Sequence, residues 1–465
     1  MTDQPNVIVV MCDQFRAFAA GCYGNDFCKT PNIDRLASQG VRFDIGVSPN
    51  PVCTPARACT MTGQYSRTCQ GDPTNPLAPF AQPDGTRLCS PWPVWERKQC
   101  TDPTLPEQLR DAGYDTALIG KWHIDPAPEL LGFDYRLYPR VNHRHTDQVF
   151  IDQWPPGEVV HGFSVDHEIA KVGEYLAADR DKPFFMYYNI SPPHMPVGDM
   201  PEKYLTMYAP EDVPLRENVF IDGAMYHDES IFLVYLWDYL YYWYKLSDKC
   251  VLPEGFDLRH LTALYYGAVT WVDDTIGTLM EHLEATGHAE DTIIVFTADH
   301  GDNLGSHHLW NKQELIEESI RVPMIYWAPE RWAPAVNTGQ VASLVDIMPT
   351  VLETCGVAPH ADVEGQSLAP ILEGTRDAMD DPSAIIETSG LHVGVRTPTH
   401  MYGILLEEDW TTVDDDAHQF FDLRSDPLEM NNLARTDEQA DLAAELKAKV
   451  LDWHAGTPRK VIDDE

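Results

Sequence analysis

The sequence predicts an α/β fold: a large, mixed but mainly parallel β-sheet covered by helices on both faces, followed by a smaller α+β subdomain with a short antiparallel sheet. Short, continuously apolar runs alternate with helical patterns over residues 1–383, as is typical of parallel strands buried on both faces. Residues 384–465 show short alternating runs and a terminal helix, which favour antiparallel strands. We therefore divide the chain into a large domain, 1–383, and a C-terminal subdomain, 384–465.

The individual elements follow from the apolar runs and from helix-capping residues. Strands are predicted at residues 7–12, 41–43, 116–119, 184–190 and 292–298, and in the C-terminal part at 384–387, 394–397, 401–406 and 419–422. Helices are predicted from Thr30 to Gly40, from Thr104 to Gly113, from His260 to Leu283 and from Ser343 to Gly356. Thr104 and Glu107 have the spacing of a capping box, which marks where the second of these helices begins.

The chain is strongly acidic. Its 465 residues include 73 Asp and Glu against 33 Lys and Arg, a formal net charge of −40 at pH 7. Such a surface repels nucleic acid and anionic membranes, so we expect neither as a partner. Any site for an anionic substrate must therefore gather the few cations locally.

The amino terminus is polar and resembles no signal peptide, and the most apolar run, Ile231 to Tyr244, is too short to span a bilayer. The ten cysteines include no CxxC pair, so no disulfide framework is expected. These patterns predict a reducing, cytoplasmic location. The aromatic run could line an apolar pocket or a subunit contact, or fill its own core. Homo-oligomerisation is left open.

Polar side chains follow the carboxyl ends of four predicted strands. They are Asp13 and Gln14 after the first strand, Lys121 and His123 after 116–119, His194 after 184–190, and Asp299 and His300 after 292–298. Open α/β sheets bind ligands at this edge. Each residue alone has a structural interpretation, such as a helix cap or a buried histidine. Together they predict one site.

The segment around Cys53 completes this site. Pro55 suits the first turn of a helix and Gly63 the residue just past its end. Cys53 then lies at the helix N-terminus, which favours negative charge, and Arg57 lies one turn further along the same face. A lone cysteine is usually a small buried apolar residue, but a thiol beside a positive dipole and a guanidinium indicates an anion site.

A divalent cation is the simplest account of the two strand-end aspartates. Asp13 and Asp299 offer hard oxygen ligands, with Gln14 and His300 as neutral neighbours, and two buried carboxylates repel each other without a cation between them. We expect Ca²⁺, with Mn²⁺ or Mg²⁺ as alternatives because of the imidazole. The structural alternative is that the acids cap helices or pair with Lys121.

The pattern Cys53-x-Pro55-x-Arg57 resembles the signature of the type I sulfatases, in which a separate enzyme oxidises this cysteine to formylglycine (3-oxoalanine). Further motifs resemble that family in the same order: Gly120-Lys-Trp-His123, Pro192-Pro-His194, Asp299-His-Gly-Asp302, Lys312 and the run Phe421–Leu433. The resemblance implies an alkaline-phosphatase-like fold. It also implies a cation held by Asp13, Gln14, Asp299 and His300, with an oxygen derived from Cys53 completing the shell.

The resemblance further implies a mechanism. A hydrated formylglycine attacks the sulfur of a small-molecule sulfate ester and expels the alcohol, and sulfate then leaves as the aldehyde re-forms. The implied roles are Arg57 steadying the hydrated aldehyde, Lys121 and Lys312 neutralising sulfate oxygens, His123 as base, and His194 with Lys312 assisting the departing oxygen. Asn75 is a further hydrogen-bond candidate. The modifying enzyme is a transient partner.

Three positions depart from the usual family pattern. Asp commonly stands at the position of Gln14, Asn at that of His300 and Arg at that of Gln64. The first two departures also occur in phosphonate monoester and phosphodiester hydrolases, which keeps that activity as an alternative, although Lys121 and His123 favour sulfate. A second alternative is an unmodified, inactive homologue that only binds sulfated ligands.

Overall fold

The computed structural model describes residues 4–71, 74–75, 80–81, 87–88, 95–152, 157–226, 229–241 and 251–461. Its strands are β1 Asn6–Asp13, β2 Val41–Val47, β3 Phe80–Ala81, β4 Arg87–Leu88, β5 Asp115–Gly120, β6 Tyr135–Pro139, β7 Thr146–Ile151, β8 Val159–Phe163, β9 Phe184–Pro193, β10 Thr292–Ala298, β11 Arg321–Val322, β12 Met324–Trp327, β13 Ala335–Ser343, β14 Ala384–Glu387, β15 His392–Arg396, β16 His400–Leu406 and β17 Val413–Asp422. Its α-helices are α1 Pro31–Gln39, α2 Cys53–Thr62, α3 Ser66–Cys69, α4 Leu105–Asp111, α5 Ser164–Ala177, α6 Glu202–Leu205, α7 Glu229–Tyr241, α8 Leu258–Thr286, α9 Glu317–Ile320, α10 Ile347–Thr354, α11 Ala369–Leu372 and α12 Ala440–Gly456.

The large sheet has eleven strands in the order β11-β2-β12-β10-β1-β9-β5-β6-β7-β8, with β13 pairing to β2. Its centre, from β10 to β6, is parallel throughout, whereas β12 runs antiparallel to both β10 and β2. Helices α1 and α5 pack on α8 in one layer, and α2, α4 and α10 pack together in another. The predicted mixed, mainly parallel α/β fold is confirmed.

The central strands are where the apolar runs predicted them. Every residue of β1, β9 and β10 is buried, and β10 has the predicted bounds. The capping box of Thr104 and Glu107 is present at the start of α4, and Gly63 ends α2 with φ 64°. The outer strands β6–β8 and β11–β13 were not predicted. Most of them are short or partly exposed, but β12 is a run of four apolar, buried residues that was missed although the predicted strand at 116–119 is no longer.

The C-terminal segment forms a four-stranded antiparallel sheet, β14-β15-β16-β17, with α12 packed against β15 and β16. This sheet adjoins the segment that precedes Cys53, since Glu387 N–H donates to the Pro49 carbonyl at 2.8 Å. The buried side chain of Arg67, just after α2, donates to Glu387 Oε1 at 2.6 Å. The predicted α+β character of this part is confirmed, while the domain boundary at residue 383 stays a prediction.

Within the described residues, no helix is both long and apolar enough to cross a membrane. The run 231–244 forms α7 as far as Tyr241, and residues 242–244 lie outside the described part. Eight cysteines in the described ranges are free thiols. The cytoplasmic location stays a prediction.

We expect salt to stabilise this fold. The net charge of −40 produces self-repulsion in the compact state, and raising NaCl from 0.01 to 1 M shortens the screening length from about 30 Å to about 3 Å. The unfolding temperature at saturating Ca²⁺ should rise by roughly 5 °C or more over this range. Differential scanning fluorimetry measures it, and an unchanged unfolding temperature would contradict the expectation.

Candidate active site

Four adjacent strands bring the predicted polar residues together. Strands β10, β1, β9 and β5 are neighbours in this order and are all parallel, so their carboxyl ends lie side by side. The residues at or just after these ends are Asp299 and His300, Asp13 and Gln14, His194, and Lys121 and His123. All seven are buried. The expected convergence of distant strand ends is therefore what the fold produces.

Cys53 is the first residue of α2 and faces this edge of the sheet. Its Sγ lies 3.6 Å from Asp13 Oδ1, 3.3 Å from His300 Nε2 and 3.1 Å from Lys312 Nζ. Asn75 Oδ1 accepts the Thr54 N–H at 3.0 Å, so this side chain caps the start of α2. The thiol therefore sits at the centre of the site.

The two aspartates are held from below by Arg57. Its Nε and Nη2 lie 2.9 and 2.7 Å from Asp299 Oδ2, its Nη2 lies 4.0 Å from Asp13 Oδ2, and its Nη1 donates to Asn189 Oδ1 at 2.8 Å. Burial and the neighbouring Asp13 raise the pKa of Asp299. Burial also opposes ionisation of Asp13, but Lys121, among other cations, holds its pKa well below the usual value.

The ligand atoms of Asp13, Cys53, Asp299 and His300 lie within 4.8 Å of one another, as a divalent cation requires. Gln14 offers a further oxygen ligand for a metal, because its Oε1 is buried with no hydrogen-bond partner. Its Nε2 donates to Asp302 Oδ2 at 2.8 Å, which fixes the orientation of the amide. An orphaned buried oxygen beside two carboxylates fits a cation site.

Lys121 and the histidines form one wall of the site. Lys121 Nζ pairs with Asp13 Oδ2 and lies 3.5 Å from His143 Nδ1. The His143 ring stacks on His194 with centroids 3.7 Å apart, and His123 packs edge-on to His143 at 5.7 Å. His143 was missed from the sequence, although it follows β6, the next strand of the same parallel group.

Lys312 lies beside His194, the histidine that stacks on His143. Lys312 Nζ lies 3.4 Å from His194 Nε2, and His194 Nδ1 lies 2.6 Å from the Met195 carbonyl. Since a carbonyl only accepts, Nδ1 carries the proton and Nε2 is the acceptor facing Lys312. Burial lowers the pKa of His194 to about 4, in agreement with a neutral ring.

The electrostatics favour an anion at position 53. Burial raises the pKa of the Cys53 thiol, but Lys121, Lys312, His300 and a hydrogen bond with His123 together lower it by more, so the net pKa lies well below its usual value. On a body of net charge −40, the local basicity required for an anionic substrate is present here.

Known families and relatives resemble this chain over most of its length. A sequence model of the sulfatase family matches residues 5–357, and one of the N-sulphoglucosamine sulphohydrolase C-terminal region matches 305–455. An N-acetylglucosamine-6-O-sulfatase of Bacteroides thetaiotaomicron is 29% identical over 511 residues, covering 96% of this chain and 85% of the relative.

Solved structures extend the likeness over the whole chain. A protein solved with its substrate D-glucosamine-2-N,6-O-disulfate superposes with a TM-score of 0.77 at 25% identity, covering 98% of each chain. A phosphonate monoester hydrolase of Agrobacterium radiobacter shares the fold, with a TM-score of 0.71 at 21% identity and coverage of 98% and 96%. The chain belongs to the sulfatase family and is a sulfuric ester hydrolase.

Proposed function

We propose that the protein hydrolyses sulfate monoesters to an alcohol and inorganic sulfate, with Cys53 converted to formylglycine by a transiently bound modifying enzyme. The observation that carries this proposal is the Cys53 Sγ position, 3.6 Å from Asp13 Oδ1 and 3.1 Å from Lys312 Nζ. In the mature protein, an oxygen of the hydrated aldehyde takes the place of this sulfur and is the nucleophile.

Asp13, Gln14, Asp299 and His300 are the proposed ligands of one divalent cation. Oxygen donors predominate, so Ca²⁺ is the expected ion, with Mn²⁺ and Mg²⁺ as alternatives. When bound, the cation supplies Lewis-acid activation of the nucleophile and neutralises charge on sulfate oxygens.

The remaining residues neutralise charge or transfer protons. Arg57 is fixed by Asp299 and Asn189, so it steadies the hydrated side chain at position 53, while Lys121 and Lys312 neutralise sulfate oxygens. His123 lies beside Cys53, and burial together with Lys121 lowers its pKa. A neutral His123 can accept the proton released when sulfate leaves.

The departing oxygen receives its proton from Lys312 in this proposal. The His194 Nε2 lone pair faces Lys312, and the bond from Nδ1 to the Met195 carbonyl fixes the ring. His194 therefore positions the ammonium group, and the ammonium group donates to the leaving oxygen.

A carbohydrate sulfate is the first physiological substrate class to test. The N-acetylglucosamine-6-O-sulfatase relative and the glucosamine disulfate complex both concern sulfated amino sugars. The substrate itself stays a proposal at the level of a sulfate monoester.

We expect Cys53→Ala and Cys53→Ser to lower kcat on an aryl sulfate by at least about 10³-fold, because both remove the aldehyde. The wild-type protein, co-expressed with a formylglycine-generating enzyme, should show an intact mass about 18 Da below the genetic value. Cys59→Ala, a buried cysteine of the same helix, is the matched control and should keep both activity and the mass deficit. Turnover like that of wild type in both Cys53 variants would refute the nucleophile.

The role of Lys312 predicts a leaving-group effect. Lys312→Ala should lose about 10²–10⁴-fold on an alkyl sulfate, whose leaving oxygen needs a proton, but far less on 4-nitrophenyl sulfate. Lys121→Ala, which alters a lysine paired with Asp13, should lose similar factors on both. Measured kcat values for the two esters test this, and equal losses in Lys312→Ala would contradict proton donation.

Phosphonate monoesters are the alternative substrate. Phosphonate hydrolases carry the same residues at the positions of Gln14 and His300. We expect kcat/KM for 4-nitrophenyl sulfate to exceed that for 4-nitrophenyl phenylphosphonate, because Lys121 and His123 favour sulfate. Parallel assays of the two esters measure this difference in kcat/KM. A higher kcat/KM for the phosphonate would assign the protein to phosphonate hydrolysis.

A further inference from the structure

A second group of metal-ligating side chains shares no residue with the Cys53 site. His307, Glu318 and Glu429 each offer one ligand atom, and these atoms lie within 4.8 Å of one another. Glu318 is 0% exposed and Glu429 is 4% exposed. The first two residues flank Lys312 in sequence, and Glu429 belongs to the C-terminal part of the chain.

One oxygen of each of the two carboxylates is left without a hydrogen-bond partner. Glu318 Oε1 accepts from Arg216 Nε and Asn218 Nδ2, both at 2.7 Å, while its Oε2 is buried with no hydrogen bond. Glu429 Oε2 accepts the Glu317 N–H at 2.8 Å, while its Oε1 is likewise buried and unsatisfied. Buried carboxylate oxygens without donors are unfavourable, and nearly all such atoms in folded proteins bind a donor, water or an ion.

His307 offers the third ligand atom. Asn218 Nδ2, which can only donate, lies 3.2 Å from His307 Nε2, and the Leu428 carbonyl accepts a hydrogen bond from the ring. A cation bound at Nε2 would therefore replace the hydrogen bond from Asn218. A hydrogen bond from one ring nitrogen to a backbone carbonyl is the usual way in which a metal-ligating histidine is oriented.

We propose that His307, Glu318 and Glu429 bind a second divalent cation, of the transition-metal class such as Zn²⁺ or Mn²⁺. Here one of three donors is an imidazole, whereas at the Cys53 site three oxygen-bearing side chains accompany the imidazole, so this group favours transition metals over Ca²⁺ more than that site does. The competing arrangement is a proton shared between the two carboxylates, which needs no metal and leaves His307 in its hydrogen bonds with Asn218 and Leu428.

The cation would join the Lys312 loop, residues 299–316 between β10 and α9, to the C-terminal part. The Glu318 segment packs directly on the loop after His300, because Gly301 N–H donates to the Ser319 carbonyl at 2.8 Å. A Cβ at Gly301 would lie 2.1 Å from the Glu318 carbonyl oxygen. A bound ion would therefore fix the backbone that supports both His300 and Lys312.

Metal stoichiometry tests the proposal. Full-length wild-type protein is loaded with Zn²⁺, dialysed, and its zinc is counted by plasma mass spectrometry. Glu429→Gln should bind about one Zn²⁺ fewer per chain than wild type. Glu168→Gln is the matched control, since Glu168 is a buried glutamate with both oxygens unsatisfied but lies outside both clusters, and it should bind as much as wild type.

Equal zinc in wild type and Glu429→Gln would overturn the site. Anomalous diffraction at the zinc edge from Zn²⁺-soaked wild-type crystals decides independently of how the variants fold. A peak within bonding distance of His307, Glu318 and Glu429 supports the proposal. No peak there would assign the cluster to a shared proton.

Discussion

The burial of two carboxylates on neighbouring parallel strands is the constraint on which the site depends. Asp13 and Asp299 are both 0% exposed, and an uncompensated buried charge costs several kcal/mol, roughly, even after the protein relaxes. Arg57 compensates the two carboxylate charges with three contacts at 2.7 to 4.0 Å, and Lys121 pairs with Asp13. The Cys53 thiol lies among the same cations, since Lys121, Lys312 and His300 favour its charged form, so the proposed nucleophile and the two aspartates share their counter-charges.

That arrangement explains why so much of the site could be predicted from the sequence. Fully buried parallel strands must be continuously apolar, so their ends are visible as the point where polar residues begin. Asp13, Lys121, His194 and Asp299 all lie at such points. The order of the strands in the sheet could not be predicted, because it is set by the packing of the helical connections and not by local sequence.

The elements that were not predicted differ in origin. Strand β13 is exposed over much of its length and carries no apolar run. Strand β12 is apolar and buried but has only four residues, and a run of that length is consistent with more than one kind of element. His143 follows β6, whose first two residues are only partly buried, and its place in the site became visible only through its stacking on His194. The Asn75 side chain, expected near the substrate, instead accepts a backbone N–H at the start of α2.

The position of the Lys312 loop is not set by the large sheet alone. On one side, Gln14 Nε2 donates to Asn311 Oδ1 at 3.0 Å, and Tyr239 of α7 accepts the Asn311 N–H at 2.6 Å. On the other side, Arg396 of β15 donates to Glu317 at 2.8 Å. A shared apolar cluster joins strand β2 to the C-terminal sheet through Ile45, Val47, Leu315, Ile320, Ile386, Met401 and Phe421. Lys312 lies between these anchors, so the contacts that hold its segment of the chain come from both the large sheet and the C-terminal sheet.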